Sequence, residues 1–401
     1  MNNIERLGQL VDEVRDNLHV NILPFWMHQM IDETQGGFYG QIDGEGHLHA
    51  DAPKGAILNA RILWTFSSAY RLSGQTSYLD VATRAKEYIL QHFMDTVYGG
   101  VYWSLHADGS CLDSKKQIYA LAFVIYGLSE YVRATQDTEA LDCAISIFKA
   151  IEAHSFDYKK NGYGEALTRE WGSISDMRLS DKDENENKTM NTHLHILEAY
   201  TNLYRVYKDK TVEDQLRNLI QLFVSKILNN VTFHLELFFD DDWNSKYAID
   251  SYGHDIESAW LLHEAAVVLD DKTLLSTVES VIPQIVQSAC EGYMEDGSMI
   301  YEKHHGNENT LDTERHWWVQ AETVVGLLDH YQLTGDQTSL DKALSTWEYI
   351  KNHLVDEENG EWYWGILPDG QVNKKDDKAG FWKCPYHNGR MCMEIIERFE
   401  K

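Results

Sequence analysis

Residues 99–103 read Gly-Gly-Val-Tyr-Trp, a glycine pair followed by aromatic residues, which is typical of a tight turn that leads into a short strand. Related turns are found at Gly36–Gly40, Asn161–Gly164 and Asn359–Trp364, with weaker copies at Glu236–Phe239 and Gly297–Tyr301. The copies are spaced by about 60 to 75 residues, the length of two helices with their connections. The sequence therefore predicts six repeats of a helical hairpin.

Between the turns, apolar residues recur every three to four positions, as in amphipathic helices. The stretches are Asn59–Leu72, Gln117–Ala134, Thr192–Tyr207, Asp255–Leu269 and His316–Leu333. A last helix is predicted at Met391–Phe399, after a loop that Pro385 constrains. Helix is therefore expected to dominate the protein.

Six helical hairpins can close into a ring of inner and outer helices around one core. We predict an all-α fold, an (α/α)6 barrel of about twelve helices with short strand-like aromatic turns. The charged segment Ser180–Lys188 is too short for an interdomain linker, so residues 1–401 are expected to form a single catalytic domain. The turns at one end of the barrel would surround a concave mouth that suits a ligand.

The chain of 401 residues carries 35 Lys and Arg against 64 Asp and Glu, a formal net charge of −29. This charge disfavours nucleic acids and anionic membrane surfaces as partners. Neither a signal peptide nor a membrane-spanning stretch is apparent, and the five cysteines are scattered without a Cys-x-x-Cys pair. We expect a cytoplasmic monomer with reduced thiols.

Polar side chains on otherwise apolar helix faces are candidates for chemistry, because their burial without a partner is costly. Asn191 and His195 are four positions apart and share one helix face. His254 and Glu257 are three positions apart, so the carboxylate could fix the tautomer of the imidazole and raise its basicity.

Further candidates lie in three other segments. Trp318 and Glu322 share a helix face, and an aromatic plate beside a carboxylate suits a sugar ring. His387 follows Pro385 and is expected to be held in one position. Arg61 lies among apolar residues and is expected to point at an anionic or oxygen-rich group.

A catalytic metal is a less favoured interpretation of the histidines. The sequence lacks His-Glu-x-x-His, and a His-x-His pair within a helix splays its rings apart. It also lacks a nucleophile elbow, a P-loop and a dinucleotide-binding glycine motif. We therefore predict an enzyme without metal or cofactor.

Five ordered blocks resemble the cellobiose 2-epimerases of the N-acylglucosamine 2-epimerase superfamily, over nearly the whole chain. The blocks are Ala56–Trp64, Met190–Tyr200, Gly253–Leu261, Trp317–Glu322 and Trp382–Met391. The resemblance implies an (α/α)6 barrel that needs no metal or nucleotide. It also implies interconversion of reducing-end glucose and mannose in β-1,4-linked disaccharides.

The same resemblance implies roles for individual residues. His254 and His387 match the acid–base pair, and Asp183 matches a position that contacts the distal sugar. Eight further matches surround the sugar: Arg61, Tyr119, Asn191, His195, Glu257, Trp318, Glu322 and Trp382. The implied partner is a disaccharide of the cellobiose, lactose or mannosyl-glucose type.

Epimerisation at C2 of an open-chain aldose needs two proton carriers, one for each face of a planar intermediate. Histidine suits this task because its usual pKa of about 6.5 makes both protonation states accessible. Arg61 would stabilise the oxyanion at C1, and Glu257 would orient His254. Trp318 and Trp382 would stack on the pyranose. Asn191, His195 and Glu322 would bind the sugar hydroxyls.

Other functions on the same barrel stay open at this stage. An N-acylglucosamine 2-epimerase or an aldose–ketose (mannose) isomerase would share the fold. A glycoside hydrolase could use Glu257 and Glu322 as its carboxylate pair, and a sugar-binding protein would keep the tryptophans. Neither of the last two needs the pair His254 and His387, so we predict an isomerase, a carbohydrate 2-epimerase.

Overall fold

The computed structural model describes residues 2–306 and 309–400, and within these ranges the chain forms thirteen α-helices. They are α1 (Asn3–Asp16), α2 (Leu23–Gln29), α3 (Ala56–Ser73), α4 (Thr76–Tyr88), α5 (Ile118–Thr135), α6 (Thr138–His154), α7 (Met190–Val206), α8 (Lys210–Leu222), α9 (Tyr252–Leu269), α10 (Lys272–Ala289), α11 (Trp317–Thr334), α12 (Gln337–His353) and α13 (Tyr386–Phe399). Short π-helical segments follow α1, α4 and α8, and a 3-10 turn follows α10. The predicted dominance of helix is confirmed.

The odd-numbered helices from α3 to α13 form an inner ring. Each packs against the next in sequence, and α13 packs against α3 and closes the ring. Helices α4, α6, α8, α10 and α12 each cover the preceding inner helix, and α1 covers α13. This is the predicted (α/α)6 barrel of twelve principal helices, with α2 as a short extension of α1.

Burial separates the inner helices from the outer ones. Every residue of α5 from Ile118 to Val132 is buried, whereas α8 buries only one stripe of apolar residues. A helix that is buried on all sides belongs in the interior, and an amphipathic helix covers it. Glycine lets the inner helices approach closely, since a Cβ at Gly127 of α5 would lie 2.6 Å from the carbonyl oxygen of Ala60 in α3.

Each repeat contains one tight turn that is closed by a single β-bridge. The six bridges are Ile31–Phe38, Met94–Val101, Phe156–Tyr163, Leu228–Leu235, Tyr293–Met299 and Val355–Trp362. The predicted sixfold recurrence is therefore present. The fourth turn lies upstream of the copy predicted at Glu236–Phe239, because Phe233 and His234 stand where each of the other turns has at least one glycine, which hides the pattern.

Twelve short strands flank the helices in the described ranges. They are β1 (Lys54–Gly55), β2 (Ser104–Leu105), β3 (Cys111–Asp113), β4 (Lys116–Gln117), β5 (Ala166–Leu167), β6 (Lys188–Thr189), β7 (Phe238–Phe239), β8 (Ile249–Ser251), β9 (Glu302–His304), β10 (Thr310–Asp312), β11 (Arg315–His316) and β12 (Gly365–Ile366). They form the antiparallel sheets β1-β2-β3, β10-β9-β8, β4-β5, β6-β7 and β11-β12. The strand before an inner helix thus pairs with the strand after the following outer helix, which gathers these junctions at one end of the barrel.

In the first three repeats, a buried lysine ties the turn to the next inner helix. Each lysine lies two residues before that helix, and its ammonium contacts the aspartate that begins the turn. The Nζ–Oδ2 distances are 2.8 Å for Lys54–Asp32, 2.9 Å for Lys116–Asp95 and 3.1 Å for Lys188–Asp157. Because each ammonium is buried, loss of its partner would leave an uncompensated charge.

Helix α13 begins at Tyr386, five residues before the predicted start at Met391. The prediction failed because Asn388 and Gly389 are weak helix formers, whereas tertiary packing decides the conformation here. A Cβ at Gly389 would lie 3.2 Å from the Thr65 methyl group, so α13 packs closely on α3. His387 is therefore held by the first turn of a helix rather than by a loop.

Membrane spans were sought among the described residues, and none of the helices there combines the length and apolarity that crossing a bilayer requires. All five cysteines are free thiols.

Candidate active site

A cavity of about 370 Å³ opens where the strands join the inner helices. Ten of the eleven predicted site residues line it: Arg61, Tyr119, Asp183, Asn191, His195, His254, Glu257, Trp318, Trp382 and His387. The remaining one, Glu322, lies behind the wall. A cavity of this size suits a small organic ligand.

The inner helices supply the lining from their N-terminal turns. Tyr119, Asn191, Trp318 and His387 are each the second residue of a helix, and His254 is the third residue of α9. The same position in successive repeats therefore faces the same cavity. This placement explains why residues far apart in sequence converge.

His254 is oriented by a hydroxyl group rather than by a carboxylate. Its Nδ1 lies 2.8 Å from Ser251 Oγ, and its ring centroid lies 4.8 Å from that of Trp318. The predicted pairing of Glu257 with His254 is wrong, since Glu257 Oε1 accepts a hydrogen bond of 2.8 Å from Arg390 Nη2. A buried carboxylate gains more from a charged guanidinium than from a neutral imidazole.

His387 is oriented by Glu322. Its Nδ1 donates to Glu322 Oε1 at 2.6 Å, while Trp260 Nε1 donates to Glu322 Oε2 at 2.9 Å. The prediction that Glu322 binds sugar hydroxyls is therefore wrong, because both of its oxygens are engaged behind the wall. A carboxylate can only accept, so Nδ1 of His387 carries a proton and Nε2 is the basic nitrogen of the neutral ring.

Arg390, which sequence reasoning missed, joins these groups in a buried network. Its Nη2 donates to Glu257 at 2.8 Å and to Glu322 at 2.6 Å, and its Nη1 donates to Glu198. Glu198 Oε2 in turn lies 2.9 Å from His195 Nδ1. The spacing of His195 and Glu198, three positions apart on one helix, was a signal that could have revealed this pair.

Burial and the neighbouring charges shift the pKa values of Glu257 and Glu322 to different extents. Burial raises the pKa of Glu257 well above its usual value, and the neighbouring Glu322 adds to this effect. Burial alone would also raise the pKa of Glu322, but Arg390 and His387 lower it to about 2. Glu322 is therefore an anion beside His387, and it favours the protonated form of that ring.

Glu257, Glu322 and His387 also place three potential metal ligands within 4.8 Å of one another. Two of the three are carboxylates that already form ion pairs with Arg390. This donor set fits an ion-paired cluster better than a metal site. That the enzyme needs no metal stays a prediction.

His254 and His387 both favour the neutral form. Burial is the main cause, and it lowers the pKa of His254 and that of His387 to about 3. Arg61 and Arg390 add to this effect at His387, and the hydrogen bond from His387 to Glu322 opposes it. A neutral imidazole is the form that can accept a proton.

Arg61 brings an unpaired positive charge to the cavity. Its Nη2 donates to Tyr119 Oη at 2.8 Å, and its guanidinium lies 4.1 Å from the ring centroid of Phe123. Among the described residues its Nε has no hydrogen-bond partner, and no carboxylate forms an ion pair with it. A buried cation without a counterion suits negative charge that develops on a ligand.

Aromatic side chains form much of the cavity wall. Trp318 and Trp382 are half-buried, and the structure adds Trp317, Trp364 and Tyr301 to them. Tyr301 and Trp364 lie in aromatic turns that the sequence had singled out, so their position was accessible to the repeat argument. Flat apolar surfaces of this kind suit the C–H faces of sugars.

The loop that carries Asp183 covers one side of the cavity. Asp183 Oδ2 accepts hydrogen bonds from the backbone nitrogen of Ser180 at 2.9 Å and from its Oγ at 2.6 Å. Gln117 Nε2 donates to the carbonyl oxygen of Met177 at 3.0 Å and anchors the loop to the start of α5. Asp183 is therefore held at the rim.

His193 does not line the cavity, in agreement with its helix position. Its Nδ1 donates to the carbonyl oxygen of Thr189 at 2.6 Å, and its Nε2 accepts from the backbone nitrogen of Tyr163 at 2.9 Å. This pattern needs a neutral ring, and burial lowers the pKa of His193 to about 4.

We expect His193 to make the fold sensitive to acid. An unfolded chain would protonate this ring below about pH 6.5, whereas the folded ring stays neutral to about pH 4, so the free energy of unfolding falls as the pH drops through that window. Between pH 7 and pH 5 this histidine should account for about 2 kcal/mol of lost stability. Urea unfolding at both pH values, with His193→Gln as the matched variant, tests this. An equally steep loss in the variant would contradict it.

Comparison with known proteins places these features in a family. The family model of the N-acylglucosamine 2-epimerases matches residues 37–389. A cellobiose 2-epimerase of Bacteroides fragilis is 58% identical over 96% of this chain and 98% of its own, and one of Ruminococcus albus is 40% identical over 97% and 99%. The structure of cellobiose 2-epimerase from Bacillus thermoamylovorans superposes with a TM-score of 0.92 at 41% identity, covering 98% of this chain and all of the other.

Fold, site and relatives together define a carbohydrate epimerase or isomerase. The chain belongs to the N-acylglucosamine 2-epimerase family.

Proposed function

We propose that this protein is a cellobiose 2-epimerase that interconverts glucose and mannose at the reducing end of β-1,4-linked disaccharides such as cellobiose and lactose. The observation that carries the proposal is the convergence of His254 and His387 on one cavity that also contains the unpaired Arg61. The relatives in Bacteroides fragilis and Ruminococcus albus support the choice of substrate.

In the first step, His387 Nε2 removes the proton from C2 of the ring-opened sugar. The electron pair of the C–H bond forms a C1–C2 double bond, and the carbonyl electrons move to the oxygen at C1. Arg61 stabilises that oxyanion, because its guanidinium has no competing carboxylate. Glu322, 2.6 Å from Nδ1, stabilises the imidazolium that forms.

In the second step, His254 takes up a proton from water in the open cavity and delivers it to the opposite face of C2, while the carbonyl group at C1 re-forms and His387 returns the proton taken from C2 to water. Burial lowers the pKa of His254 in the free enzyme. The negative charge of the intermediate favours the protonated ring, so His254 takes up its proton when that charge lies beside it. Ser251 Oγ, 2.8 Å from Nδ1, orients the ring for this transfer. In the reverse reaction the two histidines exchange roles.

The tryptophans are proposed to hold the pyranose rings flat. A stacked sugar ring buries apolar surface worth on the order of 1 to 2 kcal/mol. We expect Trp382→Ala to raise KM for cellobiose by about tenfold or more, and to lower kcat because C2 is then presented poorly to His254 and His387. Steady-state kinetics measures both constants. Unchanged values of kcat and KM would show that Trp382 only packs against Trp103 and Phe381.

The direct test is incubation of the purified protein with cellobiose or lactose in a buffer that contains EDTA. The proposal expects a disaccharide with mannose at its reducing end, identified by NMR or by chromatography. Release of free glucose would indicate a hydrolase, a ketose as the sole product would indicate an isomerase, and an unchanged sugar would indicate a binding protein. Inactivation by EDTA would contradict the metal-independent mechanism.

We also propose that the protein is a cytoplasmic monomer with a single domain. Five free thiols and the closure of the helix ring from α3 to α13 support this. Light scattering should give the mass of one chain, and thermal unfolding should proceed in one cooperative step.

A further inference from the structure

One position of the repeat carries an ionisable carboxyl group in the third turn alone. It lies two residues after the second bridged residue of each tight turn and holds Gly40, Trp103, Glu165, Leu237, Tyr301 and Trp364. Tyr301 and Trp364 line the candidate active site from this position, whereas Glu165 is buried and is not among the lining residues. A buried carboxyl group is costly unless it is hydrogen-bonded, so its partners show what it does.

Two of these partners belong to the start of helix α7. Glu165 Oε2 accepts from Thr189 Oγ1 at 2.7 Å, and Glu165 Oε1 accepts from Thr192 Oγ1 at 2.6 Å. Thr189 is the N-cap of α7, and its Oγ1 also accepts from the backbone nitrogen of Thr192 at 3.1 Å. Asn191, which lies between the two threonines, lines the cavity. Glu165 therefore holds the helical turn that presents Asn191.

The third partner connects Glu165 to the loop at the rim of the cavity. Gln117 Nε2 donates to Glu165 Oε1 at 3.2 Å and to the carbonyl oxygen of Met177 at 3.0 Å. A carboxylate and a carbonyl group can only accept, so a single orientation of the Gln117 amide serves both. In this orientation the buried Oε1 of Gln117 has no partner among the described residues. Gln117 thus leaves its acceptor unpaired while its amino group joins Glu165 to the loop.

The segment that follows Met177 borders the cavity. Leu179 is buried in the cavity wall, and Asp183 lies at the rim. A second polar contact to this segment is longer, since Lys115 Nζ donates to the carbonyl oxygen of Arg178 at 3.4 Å. The hydrogen bond from Gln117 is therefore the shorter of the two that join the loop to the residues before α5.

We propose that Glu165 is a positioning residue for disaccharide binding, because it joins the loop of Asp183 and the first turn of α7 to the start of α5. This inference rests on the proposed function and on contacts of Asp183 and Asn191 with the sugar. Glu165 does not line the cavity, so it acts through the residues that it holds. Binding groups that are fixed before the ligand arrives raise its affinity, because less order has to be imposed on binding.

The contacts of Glu165 separate sugar binding from proton transfer. His254, His387 and Arg61 lie on the helices α9, α13 and α3, and their hydrogen-bond partners are other residues than Glu165 and Gln117. Loss of the Glu165 side chain is therefore expected to weaken the binding of the disaccharide and to leave the chemistry at C2 of the bound sugar intact.

The test compares the cellobiose kinetics of Glu165→Leu with those of the wild type at pH 8. Burial raises the pKa of Glu165 to about 7, so the wild-type group is mostly ionised at that pH. Leucine is chosen because the fourth repeat has Leu237 at this position. We expect KM to rise about fivefold or more, because three donors lose their acceptor, and kcat to stay within about twofold of the wild-type value.

Two further variants show whether the effect is specific. Glu165→Gln keeps an oxygen that accepts from Thr192 and Gln117, so its KM should stay within about twofold of the wild-type value. Glu152→Leu is the matched control, since Glu152 is also buried and accepts from Tyr163 Oη at 2.8 Å and from Tyr200 Oη at 2.7 Å. Neither tyrosine lines the cavity, so Glu152→Leu should lower Tm and leave KM unchanged.

Gln117→Met keeps the test informative if Glu165→Leu folds poorly. It removes the hydrogen bonds to Glu165 and Met177 alone, and it should also raise KM with kcat near the wild-type value. An unchanged KM in Gln117→Met or in folded Glu165→Leu would overturn the positioning role, as would an equal rise of KM in Glu152→Leu.

Calorimetric titration of each protein with cellobiose measures the affinity without turnover. Wild-type protein that binds cellobiose but does not epimerise it would refute the proposed function, and the affinities of Glu165→Leu and Glu165→Gln would still decide the role of Glu165. Epimerisation by the wild type together with equal affinities of the wild type and Glu165→Leu would refute the positioning role alone.

Discussion

Replacement of either His254 or His387 by alanine is expected to lower kcat for cellobiose epimerisation by at least ~10²-fold, because each face of C2 needs its own proton carrier. The variants are His254→Ala and His387→Ala. Neither side chain forms an ion pair on which the barrel depends, apart from the contacts of His387 with Glu322 and Glu257, so circular dichroism should stay that of the wild type. Initial rates of mannose formation at the reducing end measure the effect.

A matched control is available on the neighbouring helix α7. His193 is buried but faces the turn at residues 161–163 instead of the cavity, so His193→Gln should keep kcat near the wild-type value at pH 7. Retention of near-wild-type turnover by His254→Ala or by His387→Ala would refute the two-histidine mechanism.

Arg61→Leu is expected to lower kcat by about 10²- to 10³-fold, the loss seen when one preorganised oxyanion donor is removed. It should do so without a loss of stability, because the guanidinium is buried and forms no ion pair with a carboxylate among the described residues. The replacement of Arg61 by leucine therefore leaves no buried carboxylate without a partner. Kinetics and thermal unfolding of the same preparation measure both effects.

Arg390→Leu provides the contrast. Arg390 forms ion pairs with Glu198, Glu257 and Glu322, of which Glu322 is an anion, so loss of Arg390 should cost about 3 to 5 kcal/mol of stability by leaving that buried charge without its partner. A stable Arg390→Leu variant, or an Arg61→Leu variant with normal kcat, would contradict the distinct roles of the two arginines.

The fold could be predicted from the sequence because the same kind of turn recurs once in each repeat. Glycines and aromatic residues recur at one hairpin length, and the five apolar stretches predicted as helices coincide with the inner helices α3, α5, α7, α9 and α11. The cavity residues were accessible for a related reason. Polar groups at the start of an inner helix need a partner or a ligand when they lie on an otherwise apolar face, so Asn191, His254 and Trp318 stood out.

The hydrogen-bonding partners of the site residues could not be predicted in the same way. The three-residue spacing of His254 and Glu257 is compatible with contact, but Arg390, 133 positions from Glu257, competes for the carboxylate. Glu322 is drawn behind His387 by the same guanidinium. Such choices depend on long-range packing that no local spacing encodes. The start of α13 was missed for the same reason.

The most direct test of the account is the fate of the C2 proton. Cellobiose is incubated with the purified protein in heavy water without added cofactor, and both sugars are recovered for NMR. The account predicts that the mannose-containing product carries deuterium at C2, and that His254→Ala and His387→Ala abolish its formation. Epimerised product that retains its original hydrogen at C2 would contradict proton abstraction by His254 and His387, as would release of glucose in place of an epimer.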